Sequence, residues 1–176
     1  MAATLNFPDL NFKKYKADSE NVESLFFSLQ EGLHSLKNEE YKSLCSQRYG
    51  DVISLEEFLT RVKSSAFFVA IYSGKKLLGL GELYPSNKDN LVEIAYFVFP
   101  KYQGQGLGYL LAENLLKMGL EDADITGFFA ECEVTNTSSV NILNKINDSY
   151  PSSKVSTNEK YNPPTVVYLW ETGVFH

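Results

Sequence analysis

Six residues constrain the fold more than any others: Gln103-Gly104-Gln105-Gly106-Leu107-Gly108, between an aromatic and β-branched run ending at Phe99 and a helical stripe opening near Leu107. Three alternating glycines at a strand-to-helix junction leave successive backbone N–H groups unshielded by Cβ atoms. The first turn of a helix lacks internal partners for those groups and carries about half a positive charge, so the junction is a ready cradle for an anion such as pyrophosphate. A tight turn with no ligand is the plain alternative. Two familiar cradles fail on spacing. A dinucleotide fingerprint needs a third glycine where Tyr109 stands, and a P-loop needs Gly-Lys-Ser/Thr where Leu107-Gly108-Tyr109 stands.

The elements around the junction follow from periodicity. Lys13 to Lys16 reads as a short first strand, and Asp18 is a candidate N-cap for a helix bearing Val22, Leu25, Phe26 and Leu29 at i, i+3, i+4, i+7. Residues 31–53 show no clean period. Ser54 and Glu57 form a capping-box pattern before the stripe Leu55, Phe58, Leu59 and Val62. Ala66–Tyr72, Lys76–Tyr84 and Leu91–Phe99 are strand-like runs separated by Ser73-Gly74 and Pro85-Ser86-Asn87, which predicts three consecutive strands. Leu107, Leu110, Leu111, Leu115 and Met118 mark the helix after the glycines, and Ile125–Val134 the next strand. Asn136 opens a further helix with Val140, Leu143 and Ile146. Residues 147–164 read as a long loop with room for one short strand, and Thr165–Glu171 closes the chain as a strand. The expected order is β-α-α-β-β-β-α-β-α-β(β), an α/β or α+β domain with a mixed sheet, taken as one domain over 1–176.

Composition narrows the partners. Sixteen Lys+Arg against 22 Asp+Glu give a net charge of -6, the wrong sign for wrapping a nucleic-acid backbone, and cationic or neutral partners are favoured. Two cysteines, Cys45 and Cys132, and two histidines supply no zinc-spaced ligand set, so no metal is expected and the thiols read as reduced. No basic leader or membrane-length apolar run is visible; the expectation is a cytoplasmic protein without membrane association, with a homodimer left open.

Gln103-x-x-Gly106-x-Gly108 after Val98-Phe99-Pro100, followed by Asn136-x-x-Ser139 and Lys145 on the next helix, resembles the two signatures of the GNAT N-acetyltransferase superfamily. The likeness spans roughly residues 66–147. It implies a mixed, mostly antiparallel central sheet flanked by helices, whose fourth and fifth strands splay apart around acetyl-CoA as co-substrate. By position, pantetheine is expected along Tyr96, Phe97 and Val98. The loop Gln103 to Tyr109 receives the pyrophosphate on the amides of Gly104, Gln105, Gly106, Leu107, Gly108 and Tyr109, and Asn136 contacts the pantetheine end. The implied reaction is direct acetyl transfer to a primary amine, of a small molecule, a peptide N-terminus or a lysine.

A lysine-like primary amine, with a pKa near 10.4, is neutral in only a few parts in about ten thousand at pH 7, so a base is needed. Glu131 lies on one face of its strand with Phe129 and Glu133, five residues before Asn136, where the resemblance places a proton acceptor in the protein-N-terminal subgroup. Glu93, on the face of Ala95 and Phe97, is the rival by likeness to the histone-modifying subgroup. Three departures stand out. Leu143 occupies the position where many relatives carry the tyrosine that protonates the leaving thiolate, a role for which Ser139 is a candidate. The phosphate loop lacks Lys and Arg, leaving backbone amides to balance the anion, with Lys101 and Lys117 as candidates that read equally as solvated surface charges, and Lys145 precedes Ile146-Asn147 in place of an apolar-Gly-Phe turn. A catalytically inactive acyl-CoA-binding module of the same fold, or an unrelated phosphate-binding domain, are the alternatives. Acceptor selection falls to residues 29–53 and 147–164, including Glu39, Glu40, Tyr41, Tyr150 and Tyr161.

Overall fold

The computed structural model describes residues 7, 9–16, 20–35, 54–86, 91–152 and 154–171. Seven strands form one sheet in the order β1-β2-β3-β4-β5-β7-β6: β1 Leu10–Tyr15, β2 Phe67–Ser73, β3 Lys76–Pro85, β4 Leu91–Val98, β5 Gly127–Glu133, β6 Lys154–Asn158 and β7 Thr165–Glu171. Four helices occur among the described residues: α1 Val22–His34, α2 Leu55–Ser64, α3 Leu107–Leu120 and α4 Thr137–Ser149. Every strand pairing is antiparallel except β4 with β5.

Local signals account for most boundaries. The Ser54 hydroxyl accepts from Glu57 N at 3.2 Å and Glu57 Oε2 accepts from Ser54 N at 2.8 Å, so the capping box starts α2 as its sequence requires. For α1 the cap residue is Asn21, without a side-chain cap bond; Asp18 lies outside the described residues. The first strand begins at Leu10, earlier than Lys13, because Leu10 and Asn11 take up register opposite Ser73 and Tyr72. Strand β5 is shorter than the apolar run around it, and β6 occupies part of the stretch read as a loop, paired to β7 from Lys154↔Leu169 to Asn158↔Thr165. Residues 36–53, with Glu39, Glu40, Tyr41 and Cys45, lie outside the described residues.

Alternation along the strands sorts side chains onto two faces. On β3, a Cβ at Gly81 would meet Leu115 of α3 at 2.8 Å, whereas Glu82 turns to Arg61 of α2. One core cluster joins Leu25, Leu29, Phe58 and Val62 to Phe68, Leu80 and Phe97; the other joins Leu115, Leu116, Leu143 and Ile146 to Leu83, Ile94, Phe128 and Trp170. The sheet is thus covered by α1 and α2 on one side and by α3 and α4 on the other. This separation decides which residues share a site.

Candidate active site

Strands β4 and β5 pair only at Leu91↔Gly127, Val92↔Phe128 and Glu93↔Phe129. Beyond Glu93 the register stops, and Ile94–Val98 diverge from Ala130–Glu133. The splay expected from the resemblance is therefore present. It opens into a cleft of about 460 Å³, within the range of small-molecule sites.

The floor and the far end of this cleft come from the glycine junction. Pro100 starts a single 3-10 turn, and Gln103 Nε2 donates to the Val98 carbonyl at 2.9 Å, tying the loop back to the end of β4. Gly104 and Gly106 then take φ of +73° and +81°, the left-handed region that L side chains avoid. Gly106 is the N-cap of α3 and supplies no side-chain cap, so the amides that open the helix receive no cap from it. Gly108 has a different reason to be glycine: a Cβ there would press on Ile142 Cδ1 at 2.7 Å, close to the Tyr96 ring.

Asn136 caps α4, its Oδ1 accepting from Ser139 N at 3.2 Å. That contact brings the start of α4 to the cleft, whose lining is Tyr96, Phe97 and Val98 of β4, Gln103, Gly104, Gly106, Leu107, Gly108 and Tyr109 of the junction, and Asn136, Ser138, Ser139 and Ile142 of α4. All the residues expected to hold a cofactor except Gln105 gather here. Ser138 and Ile142 carry no motif of their own and join only through the pitch of α4, one turn apart in the helix that follows the cap.

The two carboxylates stand elsewhere. Glu93 forms the last β4–β5 pair, and Glu131 lies two residues beyond its partner Phe129 on the same face. That is the α1/α2 side of the sheet, opposite the side chain of Tyr96, so cleft and carboxylates meet only through the gap between the diverging strands. Glu131 is exposed and accepts a short hydrogen bond from the Thr165 hydroxyl of β7; Glu93 is half-buried. Leu143 is buried in the core with Ile146. Neither lysine proposed to balance the loop lines the cleft. Lys117 pairs with Glu113 at 3.1 Å, and Lys101 sits over the Tyr102 ring. Lys145 lies 4.0 Å from the centroid of Tyr109, whose hydroxyl donates to Glu113. Tyr150 serves the core, its carbonyl accepting from Trp170 Nε1.

The sheet is mixed and forked after Glu93, with helix amides that Gly106 leaves uncapped at the end of the fork. The model of the Acetyltransferase (GNAT) family matches residues 30–147, and the chain belongs to that family of acetyltransferases. Family members use acetyl-CoA, and the uncapped amides beside two left-handed glycines fit its pyrophosphate. Solved structures share the architecture. The ribosomal-protein-S5-alanine acetyltransferase from Vibrio fischeri aligns with TM-score 0.67 at 11% identity, covering 95% of each chain. RimL, a ribosomal L7/L12 alpha-N-protein acetyltransferase in complex with coenzyme A, aligns with TM-score 0.61 at 16% identity over 96% of this chain and 97% of its own. A spermidine N-acetyltransferase chimera from Vibrio cholerae SpeG and hSSAT gives 0.64 at 13% over 95% and 98%. At these identities the likeness is one of fold. No curated protein sequence matches the chain. No described helix is long and apolar enough to cross a membrane, and no three described His, Cys, Asp or Glu residues gather as metal ligands would.

Proposed function

We propose that the chain moves the acetyl group of acetyl-CoA directly to a primary amine, with Glu131 as the general base and Glu93 as a supporting charge. The observation that carries this reading is the fork after Glu93↔Phe129: its cleft ends at the amides of α3, and its carboxylates stand on the opposite face of the sheet. The amides of Leu107, Gly108 and Tyr109 hold the pyrophosphate, and the backbone of Tyr96 to Val98 aligns the pantetheine. The amine approaches from the α1/α2 side. There Glu131 takes its proton, while a backbone N–H near the fork stabilises the oxyanion of the tetrahedral intermediate. An amine acceptor is supported by the neighbours' names, which specify a spermidine N-acetyltransferase, an alpha-N-protein acetyltransferase and an alanine acetyltransferase.

The test follows thiol release over a panel of polyamines, peptide N-termini, lysine peptides, alcohols and thiols. Amines are expected to lead; an alcohol or thiol that outperforms every amine would overturn the acceptor assignment. Glu131→Gln keeps shape and removes basicity, so turnover should fall about a hundredfold to ten-thousandfold at pH 7, partly rescued at high pH, with CoA affinity retained. Wild-type turnover in Glu131→Gln together with loss in Glu93→Gln transfers the role to Glu93. The buried Leu143 favours one rival, an acyl-CoA-binding module without turnover, which CoA binding without thiol release on the whole panel would establish.

A further inference from the structure

The Tyr96 hydroxyl is buried inside the splay and, among the described residues, has no hydrogen-bond partner. Buried polar groups are nearly always paired, so an orphan in a ligand cleft marks a place where the ligand supplies the partner. A phenol is chiefly a donor in this setting, and the partner must be an acceptor.

The surroundings say which one. Tyr96 stands three residues beyond the fork, on the α3/α4 side, its ring near Gly108 of α3. The polar side chains around its hydroxyl are Ser139 of α4, Cys132 of β5 and Tyr168 of β7, none of them in hydrogen-bond geometry with it. Burial pushes the Cys132 thiol up to about 11 and raises Tyr168 as well, so these neighbours carry no charge at neutral pH. The pocket holds no cation to meet a negative charge, and Leu143 leaves α4 without a phenol of its own at the neighbouring turn.

We propose that Tyr96 Oη is the hydrogen-bond donor to the CoA sulfur as it departs. The assignment rests on the reading that acetyl-CoA occupies the cleft. As the amine nitrogen bonds to the carbonyl carbon and yields its proton to Glu131, the carbon–sulfur bond breaks and its electron pair stays on sulfur. Tyr96 keeps its proton and shares it with the thiolate, which solvent protonates on release. Burial holds the phenol above its ordinary pKa, which makes it a constant donor and a poor acid, suited to stabilising the thiolate and unsuited to surrendering the proton. Tyr96 is then a catalytic residue by its side chain, beyond the backbone role its strand position suggests.

The experiment reads the sulfur directly. The thiolate absorbance of CoA bound to the wild-type protein is titrated, and affinities for CoA and desulfo-CoA are measured by calorimetry, in wild type and Tyr96→Phe. A hydrogen bond to a charged acceptor should lower the bound thiol's pKa by roughly one to two units relative to free CoA, and Tyr96→Phe should abolish that shift. Turnover should fall about tenfold to a hundredfold in the variant, with desulfo-CoA affinity unchanged. Because the hydroxyl makes no hydrogen bond among the described residues, Tyr96→Phe should melt no lower than wild type. Equal bound-thiol titrations in the two proteins overturn the assignment, as does a variant that weakens CoA and desulfo-CoA alike, which would place the hydroxyl on a pantetheine amide. Should the variant fail to fold, a wild-type titration equal to that of free CoA overturns it without a variant. Wild-type protein that binds no CoA overturns the parent reading, an outcome distinct from all of these.

Discussion

Replacing Gly106 by alanine tests the cradle by separating its conformational cost from its chemistry. At φ of +81° an L-residue is held in left-handed geometry, at a cost of roughly 1–2 kcal/mol. For a chain of this size, each kcal/mol moves the thermal midpoint by about 2–4 °C, so a fall of roughly 2–8 °C is expected. If the loop relieves that strain by rotating, at least one amide at the start of α3 turns from the phosphates. A hydrogen bond to a charged group contributes about 1.5–3 kcal/mol, which converts to CoA binding weakened about tenfold to a hundredfold. The control is Gly74→Ala in the β2–β3 turn, where φ is +57° and an added Cβ meets nothing within 4 Å. It should show a comparable loss of midpoint with CoA affinity untouched. Calorimetry and thermal melts on both variants decide the matter: Gly106→Ala that binds CoA as tightly as wild type refutes the cradle, whatever its midpoint.

Glu82 is fully buried beneath α2, where Arg61 Nε donates to both carboxylate oxygens at 3.1 Å, Arg61 Nη2 donates to Oε1, and the Ser65 hydroxyl donates to Oε2 at 3.0 Å. Arg61→Ala strands that charge and should cost about 3–5 kcal/mol in urea denaturation, whereas replacing both partners by apolar residues of similar volume should cost far less. The Cys132 thiol, raised to about 11 by burial first and by Glu131 and Glu133 second, should alkylate slowly near pH 8. The unfolded thiol gives up its proton before the folded one. Its contribution is therefore complete below pH 9 and lost as pH rises from about 9 to 11, an alkaline decline that Cys132→Ala should flatten in a pH series of melts.

What the sequence made legible was local. The Ser54–Glu57 box, the Asn136 cap and the alternating glycines each complete their geometry within a few residues, and each appears where its spacing puts it. The rest depended on partners distant in the chain. Gln103 reads as part of a ligand motif, yet its side chain holds the carbonyl of Val98, a contact set by how the loop folds back. Glu82, in a run of Gly and Leu, gave no sign of the guanidinium 21 residues upstream. Tyr96 looks like any strand aromatic until β4 and β5 separate and leave its hydroxyl alone. The loop 147–164 left room for one short strand but is too polar to say where, and Lys154–Asn158 takes that place because β7 offers it an edge.

The three-residue contact between β4 and β5 also makes the protein two half-sheets, β1 to β4 and β5 with β7 and β6, hinged at Leu91–Glu93. Each half ends inside the molecule on a strand whose outward N–H and C=O groups face a gap. Such edges ordinarily invite another chain to pair with them. Here the gap is closed at one end by the hinge and at the other by α3. An amide-bearing arm lying in it would act as a missing strand, satisfying both edges and bolting the halves together. The same gap that admits a ligand would then make the free protein the looser of its two states, with ligand binding felt as stiffness across the whole sheet.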